Sequence, residues 1–323
     1  MRLLLTGATG FVGRNALLHA IARGDEVHVP VRDPAKLSAQ LRKEGAASAR
    51  VTPLSTDPSQ WACHDFDQAI LGAGVLFART PAEYHATNVD WTLAVLRALP
   101  PACRTVILSS QSAGGPTPPG AAARSETHED RPITWYGESK LAMERAVRAG
   151  FSGRRIAILR PPMILGARDT ATLPLFRMAQ KGIRIKPGLR DKSFSFIAVD
   201  DLVAAVFTAL EQEPPDGPRY IASRTTITDR ELIAAAAAAV GKGGITVPVP
   251  QAAVRCLALL VDAVPALRAR TPSLTRDRAR EIWPDRWVVD GSAFATQTGW
   301  RAHTALDQCM AEACAHYVRE GAL

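Results

Sequence analysis

Thr6-Gly7-Ala8-Thr9-Gly10-Phe11-Val12-Gly13 stands between a short apolar run, Arg2 to Thr6, and a segment, Phe11 to Arg23, whose apolar residues recur at helical spacing. A strand, a glycine turn and a helix in that order make the three glycines a fingerprint, which isolated glycines would not be. Gly7 permits the tight turn, Gly10 lets the backbone approach a pyrophosphate, and Gly13 lets the helix lie close to the sheet. The helix N-terminus adds favourable partial charge for phosphate. Thr9, Phe11 and Val12 share the turn and are assigned to the same cofactor contact.

Working outward, Gly24-Asp25 leads into a second strand, Glu26 to Val31, and the alternation continues. The pattern predicts strands near Val51 to Leu54, Gly74 to Ala78, Arg104 to Ser109 and Arg155 to Arg160, with helices over Thr87 to Leu99 and Trp135 to Ala149. Crossover helices between successive strands imply a doubly wound parallel α/β sheet of the Rossmann type. Beyond Pro161 the pattern is irregular, with helices near Leu173 to Lys181, Asp200 to Glu211 and Asp229 to Val240 and strands at Gly217 to Ala222 and Gly244 to Val249. The expected organisation is a dinucleotide-binding domain over residues 1–160. Residues 161–323 form a smaller mixed α/β substrate lobe, partly interwoven with the sheet.

The chain has 323 residues, 47% of them hydrophobic, which suffices for a full core. Its apolar start is broken by glycines with no cleavage site after it, so no targeting peptide is expected. The most apolar segment, Val247 to Leu267, is interrupted by Arg255, Asp262 and three prolines, which argues against an integral membrane protein and for a packed helix. Cys63, Cys103, Cys256, Cys309 and Cys314 form no CxxC pair and no cluster of zinc spacing. We therefore expect no metal and a cytoplasmic location. The net charge of +8 is scattered, which suits a small anionic ligand better than nucleic acid. A homodimer is left open.

At the end of the second strand, Arg32 stands where NAD-selective sites place a carboxylate on the ribose 2′-hydroxyl. A guanidinium there favours a 2′-phosphate, so NADP(H) is the preferred cofactor. Asp33 supplies the carboxylate instead if the turn is one residue longer, which keeps NAD(H) open. Asp57, after the third strand, is placed to reach the adenine amino group or to form an ordinary turn.

Tyr136-Gly137-Glu138-Ser139-Lys140 puts Tyr136 and Lys140 on one helix face. A neighbouring ammonium is expected to lower the phenol pKa toward the working range, making Tyr136 a general acid/base. Upstream, Val106-Ile107-Leu108-Ser109-Ser110-Gln111-Ser112 ends a strand in hydroxyls at the edge where such sheets bind ligands. Ser110 is the candidate to polarise a substrate carbonyl, with Ser112 the substitute.

Together these motifs resemble the extended short-chain dehydrogenase/reductase family, and the similarity runs through most of the chain. Asn88-Val89-Asp90, the stretch Leu159-Arg160-Pro161-Pro162 to Gly166, and Phe196 to Asp201 are similar to the family's later motifs. The resemblance implies cofactor contacts at Asn88, Pro161 and Met163, a tyrosine acid/base, a ribose-binding Lys140 and a substrate-orienting serine. It also aligns Phe77-Ala78-Arg79-Thr80 with the segment after the fourth strand, which brings Ala78 and Arg79 to the cofactor cleft. Arg79 then meets a phosphate or an anionic substrate, or points to solvent.

Val31-Arg32-Asp33-Pro34 is similar to the NADPH-preferring dihydroflavonol reductase and hydroxysteroid dehydrogenase branch. The expected activity is reduction of a small, lipophilic ketone or aldehyde, with Leu173 and Phe176 as candidate substrate contacts beside Ser112 and Arg79. Two alternatives stand: an NAD-dependent sugar epimerase, and an NADP-sensing regulatory protein.

Overall fold

The computed structural model describes residues 1–61, 65–264, 266–267, 271 and 274–323. Its centre is a sheet of seven strands, all paired in parallel. Six are β1 (Arg2–Thr6), β2 (Glu26–Pro30), β3 (Val51–Leu54), β4 (Gln68–Leu71), β5 (Arg104–Leu108) and β6 (Ile156–Arg160), in the spatial order 3-2-1-4-5-6; the seventh, Arg219–Tyr220, adds beside β6. The order reverses between β1 and β4, and the crevice at that reversal is where open α/β sheets bind ligands.

Strand residues alternate between faces, so β1 sends Leu3 and Leu5 one way and Leu4 the other. Leu3 and Leu5 pack with Leu17 of α1 (Phe11–Ala22) and Leu37 of α2 (Pro34–Lys43). The opposite face meets Val95 and Leu96, then Met143 and Val147. With both faces covered, apolar residues dominate the strands, as a parallel sheet demands.

One strand lies elsewhere than the sequence pattern predicts. β4 is Gln68–Leu71, fully buried, and the expected strand Gly74 to Ala78 is a loop in which Leu76 and Phe77 are 41% and 37% exposed. The polar Gln68 hides the true strand, while the apolar Val75-Leu76-Phe77 imitates one. The segment leaving β4 is therefore Gly72-Ala73-Gly74, and Ala78 and Arg79 stand well beyond the strand end. The next helix also starts earlier than expected. Thr80 caps α3 (Pro81–His85), a π turn spans Ala86–Asp90, and α4 (Trp91–Ala98) follows. α5 (Trp135–Gly150) matches its expected span closely.

The second half contributes β7 (Met163–Leu165), α6 (Leu173–Gln180), β8 (Ile183–Pro187), β9 (Ser193–Ala198), α7 (Val199–Glu211), β10 (Arg219–Tyr220, the seventh strand) and β11 (Thr226–Thr228). After them come α8 (Asp229–Val240), β12 (Ile245–Val249), α9 (Gln251–Ala263), α10 (Arg276–Ala279), β13 (Arg286–Trp287), α11 (Ser292–Thr298) and α12 (Leu306–Arg319). α7 and Phe294 of α11 complete the core on the α1 face, so elements beyond residue 160 build the covering layer of the sheet itself. A separate cluster of Leu165, Phe176, Phe196, Met310 and Tyr317 is the core of the lobe. Phe176 is wholly buried there, edge-on to Tyr317 with ring centroids 5.2 Å apart, and Leu173 packs against the same cluster. Phe176 thus belongs to the core of the lobe, whereas Leu173 is partly buried at its margin: helical spacing marks an apolar face without saying whether core or cavity lies beneath it.

Of the cysteines, Cys63 lies outside the described residues; Cys103, Cys309 and Cys314 are buried thiols and Cys256 is exposed. No helix among the described residues is long and apolar enough to cross a membrane.

A charged clip joins the two halves on the α1 side. Arg168 donates to both Glu44 carboxylate oxygens at 2.9 and 2.8 Å and to Asn15 Oδ1 at 3.0 Å, and Arg14 pairs with the same carboxylate. These guanidinium groups hold the Glu44 pKa down at about 2. A carboxylate with a depressed folded pKa stabilises the fold above its unfolded pKa and loses that contribution as pH falls toward the folded one. Between about pH 4.5 and 2, therefore, Glu44→Gln should flatten the acid decline of the melting temperature. Parallel melts of the two proteins at pH 6 and pH 3 check this, and an unchanged pH dependence in the variant would remove Glu44 from the account.

Candidate active site

The glycine turn closes as its sequence implies. Gly7 adopts φ 77°, the left-handed region, and its carbonyl accepts from Gly10 N–H at 2.9 Å. A Cβ on Gly13 would fall 2.1 Å from the Gly7 carbonyl oxygen, so no larger residue fits against the turn. Gly10 is the N-cap of α1, no side chain caps the helix, and its first turn holds no acid. That leaves backbone N–H groups open to an anion. The residues present therefore fit a dinucleotide pyrophosphate. The turn is braced by the segment leaving β4, since Ala73 N–H donates to Thr6 Oγ1 at 3.0 Å. Gly72-Ala73-Gly74 thus takes the place that the sequence pattern assigned to Phe77–Thr80.

At the neighbouring strand ends, Asp33 caps α2 by accepting from Lys36 N–H at 3.0 Å, while Arg32 is exposed. Asp57 caps the turn Pro58–Trp61, accepting from the N–H and hydroxyl of Ser59 at 3.0 and 2.8 Å, which holds its carboxyl below the usual range. Asn88 is buried in the π turn; it accepts from Val75 N–H at 2.8 Å and donates to Val75 O and Ser139 Oγ at 3.2 and 2.9 Å. Its side chain thereby fastens the loop after β4 to α5. Pro161 O accepts from Gln111 N–H at 2.9 Å, and Met163 opens β7.

Ser110, Tyr136 and Lys140 converge at the carboxyl end of β5. Thr134 caps α5 by accepting from Gly137 N–H, which sets the helix register, and the Ser110 side chain neighbours the Tyr136 phenol and favours its ionised form. Lys140, buried one turn on, donates from Nζ to Leu108 O at 2.8 Å. A Cβ on Gly74 would lie 3.3 Å from that Nζ, so the lysine abuts the loop that braces the glycine turn. Ser112 is buried, and its N–H donates to Ser110 Oγ at 3.1 Å, which fixes the position of that hydroxyl. Gly137 was not singled out by sequence reasoning, yet a Cβ there would meet Ser112 O at 2.4 Å. Only glycine lets α5 approach closely enough for Tyr136 to reach Ser110.

The electrostatics differ from the sequence expectation. Burial pushes the Tyr136 pKa up to about 12, opposed by the Ser110 hydrogen bond and by the charge of Arg278, and burial pushes Lys140 down to about 8 against the pull of Glu144. Lys140 is not among the main influences on the phenol, and its Nζ donates to the Leu108 carbonyl. The cation over the phenol is Arg278 of α10, with Cζ 5.2 Å from the ring centroid. No spacing rule links residues so far apart, and sequence reasoning missed it.

Arg79 lines a cavity of about 930 Å³ with Trp135, Arg255, Leu259, Arg280 and Trp283. The apolar segment marked in the sequence supplies one wall through α9, whose Ala258 and Val261 are buried while Leu257 and Leu260 are exposed.

This combination, an open α/β sheet with a glycine-turn crevice beside a serine, tyrosine and lysine, defines a class of nicotinamide-dependent enzymes. The chain belongs to the NAD dependent epimerase/dehydratase family, the extended short-chain dehydrogenases/reductases, whose model matches residues 3–222. It is 29% identical over 305 residues to a ceramide reductase of Caulobacter vibrioides, covering 90% of this chain and 87% of that protein. A 180-residue match at 32% identity relates it to the 4-hydroxy-2-methyl-3-oxo-4-farnesyl-3,4-dihydroquinoline-1-oxide ketoreductase of Stigmatella aurantiaca, over 54% of this chain and 53% of that one. Among solved structures, the UDP-glucose 4-epimerase of Thermotoga maritima superposes with a TM-score of 0.78 at 17% identity, over 99% of each chain. That likeness speaks to fold alone. The chain is an NAD(P)-dependent enzyme.

Proposed function

We propose that the protein reduces a ketone or aldehyde on a substantially apolar substrate, with NADP(H) as cofactor and Tyr136 as the proton donor. The observation that carries this reading is the gathering of Ser110, Tyr136 and the buried Lys140 at the carboxyl edge of β5, beside a glycine turn shaped for a dinucleotide. The bound nicotinamide would supply hydride to the carbonyl carbon. The protein's own residues do the rest. Ser110 donates to the carbonyl oxygen and places it at the phenol, and Tyr136, protonated at neutral pH by virtue of its raised pKa, transfers its proton to the developing alkoxide. Lys140 adds positive charge at the base of the site.

Three observations support the finer points. Asp33 is committed to capping α2, which leaves Arg32 as the exposed charge at the β2 end and favours a 2′-phosphate. Trp135, the residue before Tyr136, lines a cavity of about 930 Å³ that Leu259 and Trp283 also wall, a volume within the range of small-molecule sites. Two relatives are named as reductases, one of ceramide and one of a farnesylated quinoline oxide.

The test is a panel of ketones and aldehydes followed at the nicotinamide absorbance band with NADPH and NADH in parallel, beside a panel of nucleotide sugars. Net NADPH consumption is expected. Sugar interconversion without net absorbance change would replace the reductase reading by epimerisation. In the same assay Arg32→Ala should raise the KM for NADPH about tenfold or more and leave that for NADH nearly unchanged; equal effects on both would remove Arg32 from cofactor selection.

A further inference from the structure

Arg278 is the group in this molecule whose surroundings the reaction as described does not use. Its guanidinium lies between two rings, with Cζ 5.2 Å from the Tyr136 centroid and 5.6 Å from that of Phe77. Nη2 pairs with Glu281 Oε2 at 2.8 Å, whereas Nε and Nη1 are buried with no hydrogen-bond partner. Leaving two donors of a permanently charged group unmet in the interior costs stability, so a side chain that only filled space there would be apolar. The ring faces offer the cation a partial substitute for water.

The segment that carries Arg278 grips the first turn of the tyrosine helix at two further points. The Asp277 carboxylate accepts from Trp135 N–H at 3.2 and 3.3 Å, and Glu281 Oε1 accepts from Thr134 Oγ1 at 2.9 Å. Thr134 is itself the cap that sets the register of α5. Three consecutive contacts thus join a segment of the distant C-terminal lobe to the residues immediately before and at Tyr136.

We propose that Arg278 is a positioning residue for Tyr136: stacked on the phenol, it holds the ring against Ser110 and supplies the positive charge that steadies the phenolate left behind when the proton departs. In that step the phenol O–H bond breaks, the alkoxide O–H bond forms, and the negative charge passes from the substrate to Tyr136 beneath the guanidinium. The inference rests on the reading of Tyr136 as proton donor. The ionisable groups about the phenol are Arg278, Glu281 and Asp277 from the C-terminal segment, Tyr84 from α3 with its ring centroid 6.3 Å away, and Lys140 on its own helix. Arg278 is the cation over the phenol ring, while Lys140 Nζ donates to Leu108 O.

The experiment titrates Tyr136 directly in the full chain. A difluorotyrosine at position 136, whose lower intrinsic pKa brings the transition into a gentle range, is followed by fluorine NMR without any substrate. Arg278→Met should raise the midpoint by about one unit, and Arg278→Lys should return most of that shift. Glu281→Gln, which removes the opposing charge and keeps an acceptor for Thr134, should lower it. Shifts of opposite sign separate an electrostatic role from a loosened fold; unchanged midpoints, or both variants moving the same way, overturn the proposal. Because the titration needs no turnover, it stands apart from the failure of the reductase reading, which the ketone panel would reveal. With an accepted ketone, Arg278→Met should lower kcat about tenfold and leave the KM for the dinucleotide in place; a loss confined to KM would also overturn it.

Discussion

Tyr136→Phe is expected to lower turnover by roughly a hundred- to ten-thousand-fold, the usual contribution of a positioned general acid, while the affinity for NADPH stays close to that of the unaltered protein. The physical basis is narrow. The substitution deletes one hydroxyl beside Ser110, and the phenyl ring retains the aromatic surface that Arg278 covers. The glycine turn, α1 and Lys140 are untouched, and Lys140 keeps its bond to Leu108 O. Single-turnover rates with the best ketone, beside dinucleotide binding by nicotinamide fluorescence, measure the two quantities separately. Near-normal turnover with intact binding would sink Tyr136 as the proton donor and with it the proposed mechanism.

The second large effect concerns stability. Glu144 and Arg160, with side chains 2% and 4% exposed, form a buried ion pair at the sheet edge. Arg160 donates to Glu144 Oε1 and Oε2 through Nε at 2.9 and 3.2 Å and also reaches Asp130 at 2.7 and 2.8 Å and the Tyr220 hydroxyl at 3.0 Å. Ser109 donates to the same Glu144 carboxylate. The network joins Ser109 at the end of β5 to α5, β6 and β10. Removing one member of such a pair leaves a charge buried without its partner, so Glu144→Leu should cost about 3–5 kcal/mol.

Denaturant unfolding reads this as a lower midpoint with little change in slope. A double replacement, Glu144→Leu with Arg160→Met, should recover part of the loss, because the charge left without its partner is then Asp130, whose side chain is 25% exposed to water, and no longer the buried Arg160. A single variant within about 1 kcal/mol of the unaltered protein would contradict the network's importance. There is also a functional consequence: Glu144 favours the charged form of Lys140, so its loss lowers the Lys140 pKa below about 8 and leaves less ammonium at neutral pH.

The sequence pattern was informative where the cause is local. Gly7, Gly10 and Gly13 meet backbone constraints within a few residues, and Tyr136 and Lys140 share a face because a helix repeats at that interval. β5 and α5 were readable because uniform burial makes strands apolar throughout and a half-buried helix periodic. The same logic misled at β4, where Gln68 opens a buried strand and exposed apolar residues follow it. It was indifferent at Phe176, whose helical spacing suits a cavity wall as well as the core in which it lies.

What the sequence by itself determined is therefore the parallel sheet, the dinucleotide turn and the serine, tyrosine and lysine that converge beside it, since each follows from short-range sterics and periodicity. Only the tertiary structure decided the charges around the phenol. Arg278 comes from a segment remote in the chain, Lys140 turns to a strand carbonyl, and Glu144 meets Arg160 across a strand and a helix. Coulomb interactions and desolvation depend on distances in space and on burial, and neither is written in the spacing of residues along a chain.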